Sequence, residues 1–209
     1  MKNAKCKICR RQGVKLFLKG EKCFSPKCPI VKKPYPPGQK GKRRSRSLSE
    51  YGKQLKEKQK LKNWYNLREK QFRNYVKKAL SQRGKVENAQ VELIQTLERR
   101  LDNVVFRLGF ASSRVQARQL ISHRHFLVND KVVNIPSFLV KKGNTIKIRT
   151  SSSKKAIFQN LPTTLKKHEV PAWLTLNIKK LEGKVKGLPE VEELIPSVEV
   201  STIFEFYSR

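Results

Sequence analysis

Four cysteines, Cys6, Cys9, Cys23 and Cys28, are the only cysteines in the chain, and all lie in its first 28 residues. Cys6 and Cys9 form a C-x2-C knuckle, thirteen residues intervene, and Cys23 and Cys28 complete the set. Thiolates at such spacings suit a tetrahedral structural Zn2+, which closes a loop too short to bury a core of its own. Two disulfides are the competing reading, and a reducing compartment disfavours them. An iron–sulfur cluster takes the same ligands, so spacing leaves it open. Either metal would be architectural, because four cysteines leave no open coordination position for catalysis.

The second chemistry is cationic. Lys and Arg number 48 against 16 acids in 209 residues, a formal charge of +32. A compact chain with that excess repels itself unless an anion compensates, and nucleic acid gains affinity by releasing condensed counterions. A membrane surface is the rival anion. No apolar run approaches the roughly 20 residues of a spanning helix, and the basic residues are spread over the chain rather than gathered on one amphipathic face. No signal peptide or import presequence is visible, so a cytosolic location is expected. Lys40-Gly41-Lys42-Arg43-Arg44-Ser45-Arg46 reads as a phosphate-contacting linker. Hydrophobic residues at 37% are lean, so parts of the chain are expected to order against a partner. There is no Walker loop, no nucleotide-binding glycine fingerprint and no H-E-x-x-H, and only three histidines, His123, His125 and His168.

The elements that must carry these groups follow from periodicity. Gly109 can close a helix in a left-handed cap. Ser113 then offers an N-cap hydroxyl, with Gln116 at the reciprocal capping-box position. Ala117, Leu120 and Ile121 make one apolar stripe, and Arg114 and Arg118 are i, i+4 neighbours expected to face outward. Phe126-Leu127-Val128 reads as a strand, Asn129-Asp130-Lys131 as a tight turn, Val132-Val133 as the return, and 145–149 as a half-buried strand. Upstream, the prolines at 34, 36 and 37 force an extended path. Ser47-x-x-Glu50 is a capping box opening a basic helix over 48–61, and Trp64-Tyr65 marks a break. The spacing of Phe72, Tyr75, Val76, Ala79 and Leu80 predicts a helix over 68–82, capped by Gly84 and with its aromatics in the core. Val91 to Leu108 reads as one further helix. Strands are expected over 170–176 and near Gly183. Glu190, Glu192 and Glu193 form an acidic cluster, either a solubilising loop or a protein-contact surface. The aromatic C-terminus is expected to dock on a core.

Ser113-Arg114-x-x-Ala117-Arg118-x-Leu120-Ile121, Val128-Asn129-x-x-x-Val133 and Val140-x-x-Gly143-x-x-Ile146 resemble the αL-type RNA-binding module, with Asp130 standing where such modules usually place Gly in the turn. The whole chain resembles the bacterial-type small-subunit ribosomal protein four family, in its four-cysteine form. The residues that carry this are the cysteine quartet, Pro34-Tyr35-Pro36-Pro37-Gly38-Gln39, 99–105, Arg107-Leu108-Gly109-Phe110-Ala111 and Glu205-Phe206-Tyr207-Ser208-Arg209. The resemblance implies an α+β chain in three parts. Residues 1–42 would be the metal segment and basic linker. Residues 43–90 with 195–209 would be an all-helical domain split in sequence. Residues 91–194 would be an inserted αL-type domain with a small antiparallel sheet.

It further implies a non-enzymatic constituent of the small ribosomal subunit in the cytoplasm. Such a protein binds small-subunit rRNA as a primary binder, nucleates assembly of the subunit body, and contributes to translational accuracy. Its expected partners are rRNA, neighbouring ribosomal proteins, and mRNA where it enters the subunit, with no membrane and no homo-oligomer. Lys42, Arg43, Arg44, Arg46, Lys53, Lys56, Arg68 and Arg73 would neutralise converging strands. Arg107, Arg114, Arg118, His123 and Arg124 would clamp a second region, through shape and phosphate rather than bond chemistry. Arg100-Leu101-Asp102 is similar to the Arg-Leu-Asp of pseudouridine synthases, but the Thr-x-Gly-Leu that follows there is absent. Asp102 therefore reads as a helix-surface residue holding a neighbouring arginine.

Overall fold

The computed structural model describes residues 4–39, 41, 47–82, 88–189 and 198–208. In chain order these form α1 (Ala4–Gln12), α2 (Glu21–Phe24), α3 (Pro29–Lys32), α4 (Glu50–Trp64) and α5 (Glu69–Ser81). Next come α6 (Ala89–Glu98), α7 (Leu101–Arg107) and α8 (Arg114–Ser122), then β1 (Phe126–Val128), β2 (Lys131–Val132) and β3 (Thr145–Ile148). Three short helices, α9 (Thr150–Ser153), α10 (Ala156–Gln159) and α11 (Leu161–Leu165), precede β4 (Leu174–Asn177), β5 (Glu182–Val185) and α12 (Val200–Ser208). The chain divides into two compact units, Met1–Leu93 with Ile195–Arg209, and Ile94–Leu194. Lys42, Arg43, Arg44, Arg46, Gly84, Arg209 and the acidic cluster Glu190, Glu192 and Glu193 lie outside the described residues.

The first unit is helical. Helix α4 is capped by Ser49, two residues after the expected Ser47: the Ser49 hydroxyl accepts a bond from Gly52 N at 3.3 Å, and Glu50 takes the first helical position. At its C-terminal end Asn66 adopts a left-handed φ of 53°, and α5 begins at Glu69, so the break expected at Trp64-Tyr65 is a tight helix–helix turn. Phe72, Val76 and Ala79 are buried along α5. The C-terminal α12 packs on α4 and α5, burying Ile203 and Phe204. Near the N-terminus, Leu16, Leu18 and Cys9 form a small core, with Trp64 of α4 partly buried against it.

The second unit is a sheet covered by helices. Its five antiparallel strands run in the order β2-β1-β3-β5-β4. Phe126, Val128, Ile146, Ile148 and Val185 point into the core, where Leu101, Val105, Leu120 and Ile121 of α7 and α8 meet them. The β1–β2 turn places Asn129 at φ 48° and Asp130 at φ 63°, the conformation a two-residue hairpin requires and Asn and Asp tolerate.

The single helix expected over Val91–Leu108 is broken. Residues 99 and 100 leave the helix because Arg99 and Arg100 pair with a neighbouring extended stretch: Val140 N donates to Arg99 O at 2.9 Å, Arg99 Nε donates to Val140 O at 3.0 Å, and Arg100 bridges Leu139. Arg100, at ψ 137°, then caps α7. Of the three short helices after Arg149, α10 puts Phe158 and α11 puts Leu161 and Leu165 into the core, while α9 buries Ser152.

Candidate nucleic-acid interface

Helices α7 and α8, with the turn that ends α8, carry the five binding residues expected in the second unit, and buried polar chemistry fixes the two helices together. Ser113 caps α8 and accepts a bond from Gln116 N at 3.3 Å. The reciprocal bond of the expected capping box goes one residue earlier: Gln116 Oε1 accepts from Ser112 N and Ser112 Oγ, both at 2.7 Å. Arg100 is fully buried, and its guanidinium donates to both Asp102 oxygens, Nε to Oδ1 at 3.0 Å and Nη2 to Oδ2 at 2.6 Å. Asp102 does hold a neighbouring arginine, but at 4% exposure it lies inside rather than on the helix surface. Removing the arginine alone would strand a buried charge, which is why such a pair is retained as a unit.

A second buried chain of bonds joins the end of α6 to α7 and α8. Glu98, 0% exposed, accepts two bonds from Arg107, Nε to Oε2 and Nη2 to Oε1, each at 3.1 Å. Asn103 Nδ2 donates to Glu98 Oε2 at 2.7 Å, and Asn103 Oδ1 accepts from Arg114 Nε at 2.7 Å. The Arg114 guanidinium also lies over the Phe106 ring, 4.6 Å from its centroid. Arg107 and Arg114, expected on the phosphate-facing side, are therefore turned inward as parts of the scaffold, because a buried carboxylate and a buried amide compete for them. Arg118 is half-buried, and His123 and Arg124 at the end of α8 are exposed. His168 Nε2 bonds Arg107 O at 2.8 Å, tying the segment after α11 to the end of α7.

In the helical unit, Lys56, Arg68 and Arg73 are exposed, and Lys53 is exposed beside Glu50, 3.1 Å away. Arg73 shares an outward stripe of α5 with Lys70 and Lys77, at the i, i+3, i+7 spacing of one helix face. What holds that face still is Glu69. It accepts from Lys58 at 2.7 Å, Lys62 at 2.9 Å and the Tyr207 hydroxyl at 2.7 Å, so one carboxylate joins α4, α5 and α12. Burial would raise its carboxyl, but the Lys58, Lys62 and Tyr207 bonds outweigh that and hold it down at about 2. Lys58, almost fully buried, also lies 4.4 Å from the Phe206 ring centroid, and Gln54 donates to Glu205 at 3.1 Å. Sequence reasoning anticipated that the aromatic tail would dock. It did not find Glu69 or Lys58, whose pairing joins two different helices.

The four cysteines are free and buried, and all four line one cavity of about 10 Å³ with Lys5 and Leu18. Burial pushes the Cys9 thiol up, a backbone bond at Leu16 acts against it, and the other three cysteines add to the rise. Lys19 N donates to Cys23 Sγ at 3.3 Å. Four sulfur donors on one cavity fit a soft tetrahedral cation in chemistry. Among the described residues, however, no three His, Cys, Asp or Glu side chains are gathered closely enough to form a ready metal cage. The proline-containing stretch that follows them is pinned by Arg10, which donates to the carbonyls of Lys33 and Tyr35 at 3.0 Å and lies over the Tyr35 ring.

Comparison with known proteins agrees with this geometry. Residues 1–98 match the Ribosomal protein S4/S9 N-terminal domain, and residues 99–146 match the S4 domain. The chain is 48% identical to the small ribosomal subunit protein uS4 of Caldicellulosiruptor saccharolyticus, covering 98% of this chain and 96% of that protein. It is 46% identical to the uS4 protein of Syntrophus aciditrophicus, covering 100% of this chain and 98% of the other. It is also 48% identical to the uS4A protein of Bdellovibrio bacteriovorus over 98% of this chain.

Proposed function

The chain belongs to the ribosomal protein S4 family of small-subunit proteins, and on that premise we propose that it is a structural constituent of the small ribosomal subunit that binds small-subunit rRNA and performs no reaction. The observation that carries this is identity of nearly half over the full length of its relatives, with both family domains in order. The charge fits: +32 on 209 residues needs a polyanion. The exposed cations Lys56, Arg68, Arg73 and Arg124 and the exposed His123 imidazole are candidates to meet phosphates, and half-buried Arg118 is a further one. Arg107 and Arg114 hold α7 and α8 in the shape that presents their neighbours.

Finer assignments extend the same reading. The protein acts early, ordering rRNA of the subunit body, touches neighbouring ribosomal proteins as one copy per subunit, and lies near mRNA where it enters, where its fit bears on accuracy. Cys6, Cys9, Cys23 and Cys28 would hold a structural Zn2+, which when bound would supply cross-linking of the N-terminal segment and no catalysis. Support for the metal is the placement of four free thiols on one cavity.

The test is sedimentation. A tagged copy expressed in a bacterial host is followed through a sucrose gradient washed at high salt. It is expected with the small subunit at unit stoichiometry; recovery in the free fraction or with the large subunit overturns the reading.

A further inference from the structure

Around His125 the side chains of His123, Arg149 and Lys155 come close enough to act on it, from the end of α8, the end of β3 and the start of α10, and Arg124 is its neighbour in the chain. Helix α8 ends with His123 as its cap, and Arg124 N donates to Ile121 O at 2.8 Å in a left-handed turn at φ 60°. His125 follows, 7% exposed, its Nδ1 2.8 Å from the Ser152 hydroxyl of α9 and its ring edge-on to Phe158 of α10 at 5.9 Å. Arg149, at the end of β3, donates its N–H to His125 O at 2.9 Å and caps α9. Lys155 N donates to Ser152 O at 3.0 Å and caps α10. His123 lies nearly parallel to His125, ring centroids 6.1 Å apart at 9°. His123, Arg124, Arg149 and Lys155 are all exposed, with Lys154 beside them.

We propose that His123, Arg124, Arg149 and Lys155, assembled on the buried His125–Ser152 pair, form one site for RNA phosphodiesters. The site rests on the rRNA-binding reading above and names where the second unit makes its contact. Arg149 and Lys155 were not among the residues singled out from sequence. The cluster is self-repelling: after burial, Lys155, His123 and Arg149 each disfavour a proton on His125. No ion pair among the described residues engages Arg124, Arg149, Lys154 or Lys155. The C-terminal end of α8 offers only about half a negative charge, less than the cations gathered there. Backbone bonds fix the points from which these side chains leave the chain, so the cations stay neighbours without a counter-charge. The flat exposed face of His123 adds a stacking surface suited to a nucleobase.

The experiment uses the full chain with small-subunit rRNA in filter binding across a salt series. The Arg149→Gln, Lys155→Gln pair is compared with wild type, and Arg149→Lys serves as the charge-conserving control. Loss of two phosphate contacts is expected to lower the slope of log K against log salt by about 1.4–1.8 and to weaken binding at least about tenfold at low salt. Arg149→Lys is expected to keep the slope. In parallel, lysine acetylation of the wild-type complex is read by mass spectrometry, and Lys155 is expected to be protected by rRNA. Wild-type binding with an unchanged double variant and an unprotected Lys155 overturns the site alone. Unchanged rRNA affinity with loss of the variant from assembled subunits points to an acidic protein partner and also overturns it. Failure of the wild type to bind rRNA overturns the reading on which the site rests.

Discussion

Asn103 is the residue whose loss the structure makes most costly for its size. It is 1% exposed, donates to Glu98 Oε2 at 2.7 Å and to Glu98 O at 3.1 Å, and accepts from Arg114 Nε at 2.7 Å. Leucine has nearly its shape and none of its bonds. Asn103→Leu leaves a carboxylate oxygen and a carbonyl on Glu98 each one donor short, and takes the acceptor from a guanidinium 6% exposed. A stripped buried polar group costs about 1–3 kcal/mol, more when charged. Glu98 keeps its two bonds from Arg107, so its share falls at the low end, and the sum is about 3–4 kcal/mol. With a urea dependence of about 1.5 kcal/mol/M, the midpoint of the second unit should fall by about 2 M. Trp173, 6% exposed, reports on that unit, and a Trp64→Phe background silences the other tryptophan. Asn103→Asp separates the bonds: it keeps an acceptor for Arg114 but sets a carboxylate against Glu98, so its cost should shrink on acidification. A midpoint shift under about 0.3 M for Asn103→Leu, at unchanged m, refutes the view that this chain of bonds holds α7 to α8.

Three more outcomes follow. Glu69 sits at about 2 against an ordinary 4.5; its folded pKa is depressed, so its contribution is complete above pH 4.5 and is lost as pH falls through about 2. Urea unfolding followed by Trp64 fluorescence should show that loss, and Glu69→Gln should flatten it; a variant with the wild-type acid profile counts against the three-helix role. Gly109 is at φ 79°, and a Cβ there would come within 2.7 Å of His168 Cδ2 and 2.9 Å of Leu165 Cδ2. Gly109→Ala should cost about 2 kcal/mol or more, seen as a drop in Tm of roughly 8 °C or more, and an unchanged melting curve would show the loop relaxes freely. Titrating the four thiols with a mercurial should release one Zn2+ per chain, and Cys23→Ser should abolish it while leaving the melting of the second unit unmoved; purified protein with reactive thiols and no zinc rejects the metal reading.

Local chemistry made much of the second unit legible. The Ser113 cap, the stripe through Ala117, Leu120 and Ile121, and the Asn129-Asp130 turn are each set by residues a few positions apart, and each is where the spacing puts it. The break at Arg99-Arg100 was not legible, because its cause is pairing with Leu139 and Val140 some 40 residues on, while the apolar period runs unbroken through it. The inward turn of Arg114 failed for a related reason. A helical arginine beside an apolar stripe reads as outward unless an acceptor waits inside, and that acceptor, Asn103, belongs to another helix. The helices after Arg149 were missed because each is only four or five residues long and their few buried apolar residues, Phe158 of α10 and Leu161 and Leu165 of α11, stand apart among polar side chains. Arg149 and Lys155 were hidden in the same stretch, since neither lies in a basic run.

The use of acids explains how such a basic chain remains ordered. With 16 acids to 48 bases, neutralisation is out of reach. Placement matters more than number. Glu98 and Asp102 are buried or nearly so, and each captures an arginine with two bonds. Glu69 captures two lysines and a tyrosine at the meeting of three helices. In low dielectric the Glu98 and Asp102 bonds are stronger than at the surface and far less sensitive to salt, whereas those of Glu69, its side chain 45% exposed, are screened more. An exposed pair such as Lys53–Glu50 contributes little. Two buried carboxylates therefore lock the second unit from inside, and most outward cations keep their charge for a partner. It follows that salt should separate the two properties: stability of the second unit should change little between low and moderate ionic strength, while rRNA affinity falls steeply. A parallel fall of both would mean that surface charge, and not the buried carboxylates, holds the helices in place.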